Sequence, residues 1–263
     1  MIQKSTLAAL FAALLAAGTV QAADVAPAAA PAKALPQTLP EQVVAGEYLG
    51  FEDFLPAPPE KLGEGYAWKR AADERAREAG VKLRATARGD LAKYDAESAL
   101  TEMREIMLSE VIGMEISEKA TPAIHRYLDE AIQNARKAMR NAKAKHMRDR
   151  PFAQHPEDET CRPDIRDQLN AHVSYPSGHT ITAWTAGLVL SSVMPSRGDI
   201  ILKRMYEAGE SRWICGHHWQ SDVEAGRNMA AAAFAFFVSR PDYPEIYAAA
   251  RAEADALIEK KNN

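Results

Sequence analysis

A turn sequence leads directly into a long apolar run in the second half of the chain. Residues 175–178 (Tyr-Pro-Ser-Gly) have the composition of a turn, and residues 181–190 are apolar enough for a buried helix. A helix that begins at Ser-Gly-His presents unpaired backbone N–H groups and the positive end of its dipole, which together can bind an anion. His179 adds a proton donor or acceptor beside them. The stretch predicts a buried helix with an anion site at its start.

The rest of the chain also has helical periodicity. The clearest helix is predicted over residues 122–147, with Pro151 ending it. Its apolar positions recur every three or four residues: Ile124, Leu128, Ile132, Ala135, Met139 and Ala142. Further helices are predicted over residues 65–90, 100–112, 178–193, 199–207, 221–237 and 243–260, with a compact aromatic stretch over 210–220. Because strand signals are scarce, the prediction is an all-α protein.

The N-terminus has the features of a secretory signal peptide. Lys4 precedes an apolar segment over residues 7–17, and Val20-Gln21-Ala22 has the small-x-small pattern of a cleavage site. The alternative is a membrane anchor, but the apolar run is shorter than the ~20 residues that a span needs. We expect cleavage after Ala22 and a periplasmic protein. The predicted organisation is a signal peptide over 1–22, an Ala/Pro-rich tether over 23–45 and one domain over 46–263.

The charge and the cysteines limit the partners and the crosslinks. A net charge of −4 favours neither nucleic acid nor an anionic membrane as a partner. No other stretch is long and apolar enough to cross a bilayer. In an oxidising compartment the two cysteines favour a Cys161–Cys215 disulfide, and two buried free thiols are the alternative.

Two clusters of polar residues flank the turn at 175–178. Lys143 and Arg150 are seven residues apart, so on one helix they point the same way; the alternative is a solvated basic face. The neighbouring cations are interpreted as such a face: Arg140, Lys145 and Arg148. These two positions alone therefore do not define a site.

The second cluster combines an arginine, a histidine and an aspartate. Arg212 suits phosphate-type oxygens, and Asp222 can fix the tautomer of His218 so that the other ring nitrogen acts as a base or nucleophile. The alternatives are core histidines with a helix-capping aspartate, or a metal site that includes His217. The metal site is disfavoured because adjacent side chains diverge and no further ligands complete a tetrahedral set.

Taken together, the three segments resemble a known signature. Lys143-x6-Arg150-Pro151, Pro176-Ser177-Gly178-His179 and Ser211-Arg212-x5-His218-x3-Asp222 resemble the phosphatidic-acid-phosphatase type 2 (PAP2) and vanadium haloperoxidase superfamily. Within it, the chain is most similar to the bacterial class A non-specific acid phosphatases. It departs from their usual pattern at Val173, where glycine is usual, and at His217, where tyrosine is usual.

The resemblance implies an all-helical bundle and a metal-free site without a cofactor. It makes His218 the nucleophile that takes the phosphoryl group, Asp222 the residue that orients it, and His179 the proton donor to the leaving group. The positions that would hold the phosphate oxygens are Lys143, Arg150, Ser177, Gly178 and Arg212. His218 should be neutral and His179 charged, which favours mildly acidic pH.

The function implied is hydrolysis of small phosphomonoesters of many kinds, such as nucleotides and sugar phosphates, with homo-oligomers as an expectation. One alternative is a vanadate-dependent haloperoxidase, because the same residues would hold vanadate. Another is a periplasmic phosphate-binding protein without turnover, which would not need an oriented His218–Asp222 pair. A membrane lipid phosphatase is disfavoured because further apolar spans are missing.

Overall fold

The structure is a computed structural model that describes residues 54–97 and 107–262, all within the compact unit Leu49–Asn263. The helices are α1 (Ala67–Leu83), α2 (Ala87–Glu97), α3 (Pro122–His146), α4 (Pro151–Gln154), α5 (Pro163–Arg166), α6 (Gly178–Val193), α7 (Gly198–Ile214), α8 (Gln220–Phe237) and α9 (Tyr243–Asn262). Residues 107–112 are also helical, and the described part of the chain contains no strand. The predicted all-α fold is confirmed.

Helix α6, which contains the apolar run, lies at the centre of the bundle. It packs against α3, α7 and α8, and α9 covers α3. Side chains such as Ile181, Val189 and Leu190 are fully buried on it. Because α6 is apolar on all sides, it is stable only when other helices surround it. This arrangement places the N-terminus of α6 inside the protein, next to the N-terminus of α8.

Helix α3 ends one residue before the predicted limit, but for a different reason. It ends at His146 because Met147 adopts a left-handed conformation with φ of 38°, whereas Pro151, five residues after His146, does not end it. Pro151 instead occupies the first turn of α4, where a missing N–H has no cost. Arg150 therefore lies in extended chain, and the helical spacing invoked for Lys143 and Arg150 is wrong.

Other helix limits were also misplaced, and the single helix predicted over 65–90 is replaced by α1 and α2. Helix α7 does not end near Glu207 but continues to Ile214, so Arg212 lies in its last turn. Helix α8 begins at Gln220 rather than after Ser221, because the Asp222 carboxylate accepts a hydrogen bond from the Trp219 backbone N–H, 2.9 Å away. The C-terminal limits predicted near Val193 and Phe237 are confirmed.

The predicted disulfide is present. Cys161 and Cys215 are bonded, with their Cα atoms 4.7 Å apart, and the Cys161 N–H also donates to the Cys215 carbonyl at 3.0 Å. The alternative of two free thiols is wrong. The bridge joins the irregular segment after α4 to the end of α7, 54 residues away. For a loop of that length, chain entropy predicts a stabilisation of about 4 kcal/mol.

Several N-terminal predictions fall on other parts of the chain. The signal peptide over 1–22, the tether over 23–45 and most of the predicted helix over 100–112 lie outside the described residues. Within the described ranges, no helix is long and apolar enough to span a membrane. The segment after residue 53 packs on the domain, because Leu55 is buried and the Tyr175 hydroxyl donates to the Pro56 carbonyl at 2.8 Å.

Candidate active site

The N-termini of α6 and α8 meet at one point, and the predicted site residues gather around it. The Ser177 backbone N–H donates to the Asp222 carbonyl at 3.0 Å, which joins the two helix starts. Gly226 allows this approach, since a Cβ there would lie 2.9 Å from the Ser177 carbonyl oxygen. The end of α3 contributes Lys143, and the last turn of α7 contributes Arg212. Residues from four separate helices thus form one buried polar cluster.

His218 is buried, and its hydrogen bonds determine its tautomer. Arg150 Nη1 lies 3.1 Å from His218 Nε2, and an arginine can only donate, so Nε2 must carry a lone pair. The proton is therefore on Nδ1, which lies 3.3 Å from both Asp222 Oδ2 and Ser174 Oγ. Burial, and then the charge of Arg150, lower the pKa of His218 well below its ordinary value, which Asp222 opposes. The fold holds a neutral imidazole whose Nε2 carries a lone pair and faces Arg150.

Asp222 accepts hydrogen bonds on both carboxylate oxygens. Oδ2 accepts from Ser174 Oγ at 2.5 Å and from the Trp219 N–H, while Oδ1 accepts from Arg148 Nη1 at 2.6 Å. Burial alone would raise the pKa of Asp222, but the charge of Arg148 and the hydrogen bond from His218 outweigh it, so the pKa is lowered. The carboxylate is therefore ionised and fixed in position.

Arg148 is the site residue that the sequence interpretation missed. Instead of lying on a solvated face, its side chain is 2% exposed. It donates to Asp222, to Asp73 Oδ2 at 2.8 Å and to Glu60 Oε1 at 2.6 Å. Arg140 and Lys145 are exposed, as predicted. No pattern marked Arg148 or Asp73, because both stand in highly charged stretches that resemble solvated helix surface.

Arg150 is anchored by three backbone carbonyls. It donates to Asn170 O at 2.8 Å, to His217 O at 2.7 Å and to Val173 O at 3.2 Å. Burial lowers its pKa to about 10, so it stays charged at neutral pH. The guanidinium is thereby held against His218 Nε2 although it does not lie on α3.

Lys143 is the most easily deprotonated cation of the cluster. Its Nζ donates to Val173 O at 2.9 Å and to Ser174 O at 3.2 Å, both neutral acceptors. Burial, and then the charge of Arg150, lower its pKa to about 7. An added anion would restore the ammonium, because it would supply the counter-charge that the carbonyls do not.

Arg212 is fully buried but incompletely paired. Its Nη2 lies 3.0 Å from His217 Nδ1, whereas Nε and Nη1 have no hydrogen-bond partner among the described residues. Burial, and then the charge of Arg150, lower its pKa to about 9. Buried guanidinium N–H groups without acceptors are costly. A bound oxyanion would supply the missing acceptors and would also balance the positive charge of the neighbouring cations.

The start of α6 supplies two further backbone donors. Gly178 and His179 occupy the first helical positions, so their N–H groups have no acceptor within the helix. A Cβ at Gly178 would lie 2.7 Å from Met139 Sδ, so any larger residue would have to displace the Met139 side chain. The Ser177 hydroxyl is buried and accepts from Thr180 Oγ1 at 3.0 Å, which leaves its own proton to donate. This end of the helix therefore presents several donors, as an anion site requires.

His179 differs in charge from the expectation. Part of its ring surface is accessible, but burial, and then the charge of Arg212, lower its pKa well below the ordinary value. The protein alone therefore keeps both His179 and His218 neutral, whereas the sequence predicted a charged His179. A positive His179 requires a negative charge beside it.

The donor set of this cluster suits an anion rather than a cation. Within the described ranges, no group of three or more His, Cys, Asp or Glu side chains could hold a metal ion. All eight predicted catalytic and phosphate-binding positions lie at or next to the junction of α3, α6, α7 and α8. A metal there would face three cationic side chains, Lys143, Arg150 and Arg212.

Comparison with known proteins identifies similar sequences. The family model described as the PAP2 superfamily matches residues 132–244. A non-specific acid phosphatase of Providencia stuartii is 44% identical over 190 residues, covering 72% of this chain and 74% of the relative. One from Salmonella typhimurium is 34% identical over 218 residues, covering 82% and 83%. An acid phosphatase of Zymomonas mobilis subsp. mobilis is 30% identical over 199 residues, covering 76% and 74%.

Proposed function

Because this chain belongs to the bacterial non-specific acid phosphatases of the PAP2 superfamily, we propose that it hydrolyses many small phosphomonoesters, without a metal ion, through a phosphohistidine on His218. The observation that most supports this proposal is that Lys143, Arg150 and Arg212 lie close to a neutral His218, while two buried Arg212 nitrogens lack hydrogen-bond acceptors. A tetrahedral phosphate can supply those acceptors. The printed names of the relatives, non-specific acid phosphatase, support a broad substrate range.

The first chemical step forms a P–N bond and breaks a P–O bond. His218 Nε2 attacks phosphorus from the side opposite the leaving oxygen, and its lone pair becomes available when the phosphate takes over hydrogen bonding from Arg150. Lys143, Arg150 and Arg212 stabilise the charge on the three equatorial oxygens, the task that Mg²⁺ performs in kinases. Asp222 stabilises the positive charge that develops on the His218 ring.

The proton for the leaving group arrives with the substrate. A phosphomonoester has a second pKa of about 6, so below that pH it binds as a monoanion with one proton. Since His179 is neutral in the protein alone, the bound phosphate charge is what raises its pKa and lets it take this proton. His179 then donates the proton to the departing alkoxide. This accounts for activity at acidic pH without a charged His179 beforehand.

The second step regenerates the enzyme. A water molecule gives a proton to the now neutral His179 and attacks phosphorus, and the P–N bond breaks. The phosphate leaves as the monoanion and takes the proton from His179, so that both histidines are neutral again. An alcohol bound in place of water would receive the phosphoryl group by the same route. The proposal therefore includes phosphotransfer as a side activity.

Trapping the intermediate tests this mechanism. The purified protein should hydrolyse a simple aryl phosphate at pH 5 to 6 in excess chelator. A denaturing quench during turnover of a ³²P-labelled substrate should leave label that is acid-labile and base-stable, as a phosphohistidine is. Loss of activity in chelator, or acid-stable label typical of an acyl or serine phosphate, would contradict the mechanism.

Vanadate separates the phosphatase from the haloperoxidase alternative. As a trigonal-bipyramidal mimic of the phosphoryl-transfer transition state, vanadate should inhibit hydrolysis at micromolar concentrations. Halide oxidation that depends on added vanadate and peroxide would favour the haloperoxidase alternative instead.

The ammonium of Lys143 should set a limit to activity above pH 7, in addition to the loss caused by ionisation of the substrate. Its pKa of about 7 means that it loses its charge as the pH rises above 7, so kcat/KM should fall there. Lys143→Arg keeps a charge at this position, so the ratio of its kcat/KM to that of the wild type should rise between pH 6 and 8.5. Taking the ratio removes the effect of substrate ionisation on kcat/KM, because that effect is the same for both proteins. A ratio that does not change with pH would show that Lys143 does not set the limit.

We also propose that the protein is secreted to the periplasm. The N-terminal pattern over residues 1–22 and the disulfide support this, because disulfides persist in oxidising compartments. Intact mass or N-terminal sequencing of the periplasmic fraction should give a chain that starts at Ala23. A chain that starts at Met1, or one confined to the cytoplasm, would contradict it.

A further inference from the structure

His217 contacts Arg212 through its side chain and its backbone, and Arg150 through its backbone carbonyl. The residue is fully buried. Its Nδ1 lies 3.0 Å from Arg212 Nη2, and its carbonyl accepts from Arg150 Nη1 at 2.7 Å. Its backbone N–H donates to the Arg212 carbonyl at 3.1 Å. One residue therefore contacts two guanidinium groups from separate parts of the fold.

The tautomer of His217 follows from these partners. Because Arg212 can only donate, Nδ1 must accept and the ring proton must be on Nε2. Nε2 faces Cys215 Sγ, 3.7 Å away, in the disulfide. Burial, and then the charge of Arg212, lower the pKa of His217 well below its ordinary value. The ring is thus a neutral acceptor for Arg212.

A tight turn after α7 directs the His217 ring toward Arg212, which a continued helix would not do. Helix α7 ends at Ile214, and Gly216 follows with φ of 83°, in the left-handed region that favours glycine. A Cβ at Gly216 would also meet Arg84 Nη2 at 2.5 Å. This turn brings His217 back against the side chain of Arg212, one turn earlier on α7.

We propose that His217 is a positioning residue for phosphate binding: it takes one N–H of Arg212 so that the Nε and Nη1 donors face the phosphate. This inference rests on the proposed phosphate site. Arg212 would otherwise have no hydrogen-bond acceptor among the described side chains, because His217 provides its one side-chain contact there. With the guanidinium fixed before substrate arrives, less conformational freedom is lost on binding.

Three substitutions separate this role from packing. Asn places a carboxamide oxygen where Nδ1 stands, Gln places its amide one bond further out, and Leu offers no acceptor. His217→Asn should keep vanadate inhibition within about threefold of the wild type. His217→Leu and His217→Gln should weaken it about tenfold to a hundredfold, the usual effect of losing a hydrogen bond to a charged group. Rescue by Asn but not by Gln would not arise from packing alone.

A double-variant cycle shows whether the effect passes through Arg212. In an Arg212→Lys background, His217→Leu should change the vanadate inhibition constant by less than about twofold, because the guanidinium that His217 positions is already absent. Equal losses in both backgrounds, or unchanged inhibition of His217→Leu in the wild-type background, would overturn the inference while the phosphatase function stands. A wild-type protein that vanadate does not inhibit would overturn the proposed phosphate site as well. Thermal unfolding of each variant confirms that the protein measured is folded.

Discussion

His218→Ala is expected to lower kcat by at least about 10⁴-fold, with no labelled phosphoenzyme after a denaturing quench. The substitution removes the nucleophile, and residual turnover can come only from phosphate binding and charge stabilisation by the cations. Phosphate affinity should change far less, because Lys143 and Arg212 do not depend on the His218 ring for their positions. Single-turnover kinetics with the labelled substrate measure both quantities.

His172→Ala is the matched control for this variant. His172 is also a histidine, but its side chain is 68% exposed and pairs with Asp149 on the surface. Its removal should leave kcat within about twofold of the wild type. A His218→Ala protein that retains more than a hundredth of wild-type kcat, or that still yields acid-labile label, would mean that another residue is the nucleophile.

Asp222→Asn is expected to lower kcat by about 10³- to 10⁴-fold and also to destabilise the fold. Both Asp222 oxygens act as hydrogen-bond acceptors. Oδ1 accepts from Arg148, and Oδ2 accepts from Ser174, the Trp219 N–H and His218. An amide must turn its NH₂ group toward one of these sides, so at least one donor loses its acceptor. If the amide faces His218, the tautomer with Nε2 free is no longer favoured.

Urea unfolding of Asp222→Asn tests the structural part of this prediction. Breaking a buried ion pair by neutralising one partner costs about 3–5 kcal/mol. Arg148 would retain Asp73 and Glu60, so we expect the lower end of that range. Ser174→Ala removes one donor and leaves the carboxylate charged, so it should cost about tenfold or less in kcat. Equal activity losses in the two variants would contradict the assignment of Asp222 as the main partner of His218.

The segment from 143 to 151 reaches the cluster by a different route from the one that its spacing suggests. On one helix, a separation of seven residues would let Lys143 and Arg150 point the same way. In the structure the helix ends at His146, and Arg150 reaches the site from extended chain held by the carbonyls of residues 170, 173 and 217. Helical periodicity cannot predict this, because a left-handed residue such as Met147 carries no strong local signal when it is not glycine.

His217 is a second residue whose role depends on the tertiary structure. In the sequence it stands out only as a departure from the family pattern, where tyrosine is usual. The structure places its side chain on Arg212 and its carbonyl on Arg150. Sequence proximity to His218 could not reveal this, since adjacent side chains diverge and only the turn at Gly216 directs the ring toward α7.

The sequence by itself determined the fold class and the one possible pairing of its two cysteines, and its likeness to a family signature selected eight positions that gather at the junction of α3, α6, α7 and α8. Helical periodicity, cysteine pairing and signature spacing are local or pairwise properties, which is why they can be read without a structure. Only the tertiary structure decided which charges are buried and which groups carry protons. Arg148 lies 75 residues from Asp73 and 74 from Asp222, yet their contacts make it a buried ion rather than a surface charge. His179 is neutral for the same physical reason: burial and the field of Arg212 set its pKa, and both depend on elements that fold together from distant parts of the chain.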